Sequence, residues 1–298
     1  MKEDKGKFIQ VRLDNPSDIF KFNHRFMDSF VYRGHANHEW KLVSSLYRFL
    51  DNYHPNSGNL LFSNMYEREM IKDFKYKYQA YTKNSMPNGD DVIEWLSIMQ
   101  HYGAPTRLID FSYSPYIALF MALSEFSKTD SDIWCLNRFW CRTQFSNDYD
   151  STEKIIDLNE YIYEKANQMI LNVSNSMPSK RVYLIKPKLI NERLIRQQGL
   201  FAILGEDRAN LIENLEPFLK SKKETIIEID NLFDEINKSE GFNSNDYALI
   251  RIIIPKEFKF DLMYLLNKMN INAETIYPGL EGLGRSMMYQ RYENYDEK

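Results

Sequence analysis

The densest collection of chemically capable side chains lies in QHYGAPTRLIDFSYSPYIALFMAL, residues 100–123, where His101, Arg107, Asp110, Ser112 and Ser114 surround a Gly-Ala-Pro turn. A polar loop feeding an apolar helix can hold such groups at the floor of a pocket. Each has a plain alternative. Arg107 and Asp110 can pair with each other across the turn, Ser114 can cap the helix that Pro115 opens, and His101 can be a satisfied residue of a helix's last turn. Upstream, Arg33 in FVYRG stands where a short aromatic strand ends at Gly34, so its guanidinium can take a phosphate or carboxylate bidentately, or close an internal ion pair. His35 and His38 have HxxH spacing, but no third ligand is recognisable, so no metal site is read there. Trp40 is expected to pack.

Two further segments carry polar groups beside glycines. In RLIRQQGLFAIL, residues 193–204, Gln197 and Gln198 stand at the entrance of a hydrophobic strand. In ETIYPGLEGLGRSM, residues 274–287, Glu281 is the acid of a Gly-rich turn, whose glycines either approach a ligand or make a tight connection into a helix. Arg33, the 101–114 loop and one of Gln198 and Glu281 are expected to converge on a single cleft. No GxGxxG, P-loop, GxSxG or HExxH pattern is present, which removes the support such motifs give to dinucleotide-fold dehydrogenases, P-loop ATPases, α/β-hydrolases and zincins.

The elements that must position these groups follow from periodicity. Strands are expected at 30–33, 132–137, 182–187, 199–204 and 248–254. Helices are expected over 60–81, from about Asp91 to Tyr102, from Pro115, from Pro255 to about Met269, and after the last glycine turn. The irregular alternation favours an α+β fold: a single domain, 1–298, with a small mixed or antiparallel sheet core flanked by helices. Residues 206–245, charged and poor in aromatics, read as a surface insertion.

With 298 residues, 43% hydrophobic and 14% aromatic, the chain can bury a substantial core. Cys135 and Cys141 are the only cysteines, too few for a disulfide scaffold, and read as reduced packing residues. The net charge of −4 gives no global attraction to polyanions, although residues 180–208 hold seven Lys/Arg against three acids. With no long apolar run and a charged start, the reading is a cytoplasmic protein without a membrane partner.

The YRG strand, the 100–123 block, RLIRQQGLF and IYPGLEGLG together resemble the bacterial FRG-domain family, with Phe111 where that family usually has Trp. A second resemblance is to ADP-ribosyltransferases: Tyr32-Arg33-Gly34 is similar to their first strand, and Phe111-Ser112-Tyr113-Ser114 with the following helix to their second. Gln197-Gln198-Gly199 looks like their last strand without its acid. This resemblance implies an ADP-ribosyltransferase-like fold and an NAD-dependent transferase or NAD glycohydrolase, a bacterial effector acting as a toxin or in antiphage defence. It implies NAD as substrate, held by Arg33, Gly34, His101, Tyr102, Arg107, Ser112 and Tyr113. Glu281 would be the first choice for the charge-stabilising carboxylate, Asp110 the second, and Gln198 would stand at the acid's usual place. The acceptor would be a protein or nucleic acid. The competing reading is a noncatalytic domain that senses a nucleotide or binds a protein or nucleic-acid partner.

Overall fold

Runs rich in branched and aromatic residues become strands. They are β1 Lys7–Arg12, β2 Phe30–His35, β3 Leu108–Ser112, β4 Ser131–Asn137, β5 Val182–Ile185, β6 Gly199–Leu204, β7 Thr225–Ile226 and β8 Tyr247–Ile254. The computed structural model describes residues 6–54, 60–82, 86–125, 128–146, 148–149, 157–171, 179–189, 191–220, 224–238 and 243–288. Its strands form one sheet in the order β5-β6-β3-β2-β4-β8-β1-β7. All ladders are antiparallel except those of β1 with β8 and β7, so the sheet is mixed.

The helices are α1 His24–Ser29, α2 Ser45–Tyr53, α3 Leu60–Tyr81, α4 Val92–His101, α5 Pro115–Leu123, α6 Arg138–Thr143 and α7 Leu158–Leu171. They continue as α8 Glu192–Arg196, α9 Leu211–Leu215, α10 Ile229–Ile236, α11 Lys259–Lys268, α12 Ala273–Ile276 and α13 Gly279–Ser286. Among the described residues, no helix is long and apolar enough to cross a membrane.

Register decides which side chains share a face. Tyr32, Ile133, Cys135, Ile250 and Ile252 pack against α5, α10 and α11 in one core cluster. Farther along that face, Leu108, Ile203 and Phe201 pack with α4 and α7. The opposite face carries Val31, Ile109, Phe111, Trp134 and Leu136 beneath α6 and α9. The α+β reading therefore holds, with one mixed sheet of eight strands among the described residues and helices on both faces. Cys135 and Cys141 are free and buried, in the clusters on opposite faces of the sheet.

The 206–245 segment is not a surface appendage. Leu211, Leu215, Ile229, Leu232, Phe233 and Ile236 are buried, and β7 extends the sheet beside β1. On α10 the exposed Asp230 and Asp234 alternate with those apolar residues at helical spacing, which overall composition conceals.

Helix α5 approaches β2 closely because Gly34 has no side chain. A Cβ there would overlap Ala118 O and lie 2.7 Å from Ala122 N. Ser114 caps this helix through its Oγ, 3.4 Å from Ile117 N, with Pro115 at its first position. Overpacking of this kind costs about 1–3 kcal/mol or more. Gly34→Ala is therefore expected to lower unfolding free energy by at least about 2 kcal/mol in urea titration, whereas Gly284→Ala, with open space around its Cβ, leaves it unchanged or higher.

Candidate functional site

β2 pairs with β4 over six residues but with β3 at one point, Tyr32 opposite Ser112. Beyond that point the two central strands part. Arg33 Nη1 donates to Asp110 O across the opening at 2.7 Å, and Arg33 Nε donates to His35 Nε2 at 3.1 Å. The opening becomes a cleft of about 170 Å³ bordered by Arg33, Ser45, Arg48, Gln100, Gly103 and Asp110. Ile109 from one sheet face and Leu108 from the other both reach its wall.

The cleft holds two guanidinium groups, both depressed in pKa by burial and opposed by the Asp110 charge. Arg48 Nη1 donates to Val43 O at 3.0 Å. Gln100 takes a hydrogen bond from Thr106 Oγ1 and donates its Nε2 to Asp110 Oδ1 at 2.7 Å, which orients the exposed carboxylate. Ser45 Oγ and the Thr106 backbone exchange hydrogen bonds at 3.1 and 2.9 Å, fixing the start of α2 against the β3 entry. Two cations beside one carboxylate and an amide make an anion-binding arrangement.

Behind Arg33 runs a buried charged row. His35 faces Asp132 across the β2–β4 ladder, His35 Nδ1 lies 3.5 Å from Asp132 Oδ1, and Arg251 Nε donates to Asp132 Oδ2 at 2.9 Å. Because Arg33 donates to Nε2, that nitrogen carries the lone pair and the neutral imidazole proton belongs on Nδ1, facing the carboxylate. Burial, with Arg33, Arg48 and Arg251 adding to it, drives His35 down to about 2. Burial drives Asp132 up to about 7 against the pull of Arg251. Arg251 lies over the Trp134 ring, 4.8 Å from its centre, and also donates to His38 O.

The expected single cleft does not form. Ser112 faces with Tyr32, away from Arg33, and is buried, its Oγ donating to Gln197 O at 2.8 Å and accepting from Ser114 N at 2.9 Å. It ties β3 to the α8–β6 turn and cannot touch a ligand as placed. Gly34 faces α5 and makes helix packing possible, with no room for a ligand. Arg107 is buried, and it pairs with Glu67 rather than Asp110: Nε donates to Glu67 Oε2 at 2.5 Å and Nη2 to Asn64 Oδ1 at 2.8 Å. Burial opposes the Arg107 charge, but Glu67 and Asp207 outweigh it and raise its pKa.

Glu281 lies outside the cleft, on the surface of α13, where Arg285 Nη2 is 3.0 Å and Arg193 Nη1 3.7 Å from its carboxylate. His101 is near this pair: burial and Arg193 lower its pKa, and Glu281 opposes them. Tyr102 is exposed at the end of α4, next to Gly103 of the cleft. Tyr113 borders a different cavity, beside Arg138. Gln198, exposed and at φ 46°, contributes its backbone, accepting from Tyr113 N at 2.9 Å. Trp40 is half exposed and meets His35 edge-on, 6.2 Å between ring centres.

Sequence reasoning missed Arg48, Gln100 and the Asp132–Arg251 part of the row. Gln100 stands at the head of the quoted block and its position was the available signal. Arg48 and Arg251 sit in helix and strand patterns that give no hint of a cleft.

The family comparison finds that residues 28–131, which contain the whole cleft lining, match the family described as FRG domain. Neither the curated proteins nor the solved structures yield a match.

Two predictions test the burial arguments. Arg107→Ala strands Glu67 in the interior, so unfolding free energy should fall by about 3–5 kcal/mol; a change below 1 kcal/mol would mean the pair is solvated. The His35–Asp132 pair has opposed proton linkages. His35, depressed, loses stability as pH falls below 6.5, whereas Asp132, raised, loses stability as pH rises from 3.8 towards about 7. In the wild type these offset. Between pH 7 and pH 5, Asp132→Asn should therefore lose stability and His35→Gln gain it, each by at most about 1.4 kcal/mol per pH unit beyond wild type, in urea titrations at both pH values.

Proposed function

Residues 28–131 match the FRG domain, and from that premise we propose that the cleft between β2 and β3 binds the phosphate of a nucleotide-like ligand, with NAD as the ligand and substrate. The observation that carries this reading is the presence of two guanidinium groups, Arg33 and Arg48, in one cleft with a single oriented carboxylate, Asp110. Arg33 Nη2 makes no hydrogen bond to a described residue, which leaves a donor for a phosphate oxygen. A volume of about 170 Å³ suits one phosphate and its adjoining sugar, with the rest of the ligand lying outward past Gly103 and the exposed Tyr102 ring.

In the catalytic form of this reading, the bond from ribose C1′ to the nicotinamide nitrogen breaks and its electron pair leaves with nicotinamide. Positive charge then develops on the ribose, and a carboxylate nearby lowers the barrier. Asp110 takes that role, because Glu281 is engaged by Arg193 and Arg285 outside the cleft. Water, or a nucleophile of a protein or nucleic-acid acceptor, adds at C1′ and gives up a proton. A role in toxicity or phage defence belongs to the same reading and rests on the resemblance alone. The sensor reading is favoured by one observation: Asp110 is already hydrogen-bonded by Gln100 and its charge is offset by the two arginines, as suits binding without turnover.

Calorimetry and a nicotinamide-release assay, with lysate supplied as acceptor, separate the two. Arg33→Ala is expected to weaken NAD and ADP binding at least tenfold, and also to lower the melting temperature, because Asp110 O and His35 Nε2 lose their donor; binding is read well below that temperature. Asp110→Asn should keep binding and lower release roughly 10²-fold, since the carboxylate acts on charge that exists only in the transition state. Glu281→Gln should leave both unchanged. Binding without release would select the sensor reading, and no binding at millimolar NAD would overturn the NAD assignment.

A further inference from the structure

The basic run at 180–208 is not absorbed by the cleft. Lys186 and Lys188 instead border a second cavity of about 270 Å³, between α6, α7 and the edge strand β5, which shares no lining residue with the cleft. Two carboxylates also border it, and both are engaged. Asp157 accepts from Asn159 N at 2.6 Å and Glu160 N at 3.1 Å, and Glu160 takes Lys188 Nζ at 2.9 Å.

Three cations remain. Arg138 donates Nε to Asp28 O at 2.8 Å, Arg142 donates to Asn159 Oδ1 at 2.5 Å, and Lys186 is exposed; none has a carboxylate partner among the described residues. Unpaired cations around a concavity concentrate anions. One carboxylate would answer one of them, whereas a phosphomonoester, close to doubly charged at neutral pH and rich in acceptors, answers two or three. The remaining wall is apolar: Leu184 and Leu200 of the sheet, and the partly exposed ring of Tyr113, with the Arg138 guanidinium 5.8 Å from its centre. The volume falls just below the roughly 300 Å³ at which small-molecule pockets commonly begin, which limits the ligand to about mononucleotide size.

We propose that this cavity is a second ligand site, taking a phosphomonoester on a small planar or apolar body, with Arg138, Arg142 and Lys186 on the phosphate and Tyr113 against the body. It stands independently of the Arg33 cleft, and the test keeps the two apart. AMP, inorganic phosphate and adenosine are titrated calorimetrically into Arg33→Ala/Arg48→Ala protein, in which the cleft is disabled. One equivalent of AMP is expected to bind, more tightly than phosphate, with adenosine at least tenfold weaker than AMP. Adding Arg142→Gln and Lys186→Gln should weaken AMP at least tenfold. Absence of AMP binding at millimolar concentration, equal affinity for adenosine, or unchanged affinity after those two substitutions would overturn the proposal. If the Arg48 change unfolds the start of α2, the same titration of Arg33→Ala protein against Arg33→Ala/Lys186→Gln, the lysine being at an exposed position, decides: one AMP equivalent should become at least threefold weaker. Unchanged binding would again overturn it.

Discussion

The structure turns on what β2 is asked to do within five residues. Gly34 must sit against the backbone of α5, so the strand is drawn towards that helix where a side chain would hold it away. Two residues earlier, the ladder to β3 consists of a single bridge at Tyr32. Parting two central strands exposes backbone groups that need partners. Arg33 supplies one of them by donating to Asp110 O, and the same guanidinium then borders the space that the parting creates. Packing on one face of β2 and the candidate site on the other are two consequences of the same strand position.

Holding a guanidinium at that place requires an acceptor behind it, and a neutral imidazole is suited to the task. His35 is kept neutral by burial among arginines, and Asp132 faces its other nitrogen while also taking Arg251. Removing one member of such a buried row costs more than its net contribution, because the others are left desolvated without partners. The row spans β2, β4 and β8, so the cleft is braced by the middle of the sheet rather than by a loop.

Much of this was legible in the sequence, for identifiable reasons. FVYRG announces a strand, although β2 continues past Gly34 to His35, and Ser114-Pro115 announces the start of α5. In LIDFS the polar residues Asp110 and Ser112 alternate with Ile109 and Phe111, a strand signal only five residues long and embedded in a block rich in polar side chains. The buried apolar residues between Leu211 and Ile236 recur at helical spacing, yet the acids around them gave the segment a surface look. Pairings across long separations were not legible: nothing near Arg107 in sequence points to Glu67, forty residues away in a charged helix, or links His35 to Asp132 and Arg251. Reading four motifs as one site failed for the same reason, since a strand's two faces separate Arg33 from Ser112 whatever their shared polarity.

The central claim is that the anion site of this chain is the opening between β2 and β3. A crystal structure of the protein with ADP or NAD bound tests it most directly. The account predicts a phosphate within hydrogen-bonding distance of both Arg33 and Arg48, with the adjoining ribose next to Asp110. A phosphate bound instead by Arg193 and Arg285 beside Glu281, with the β2–β3 opening occupied by solvent alone, would contradict it.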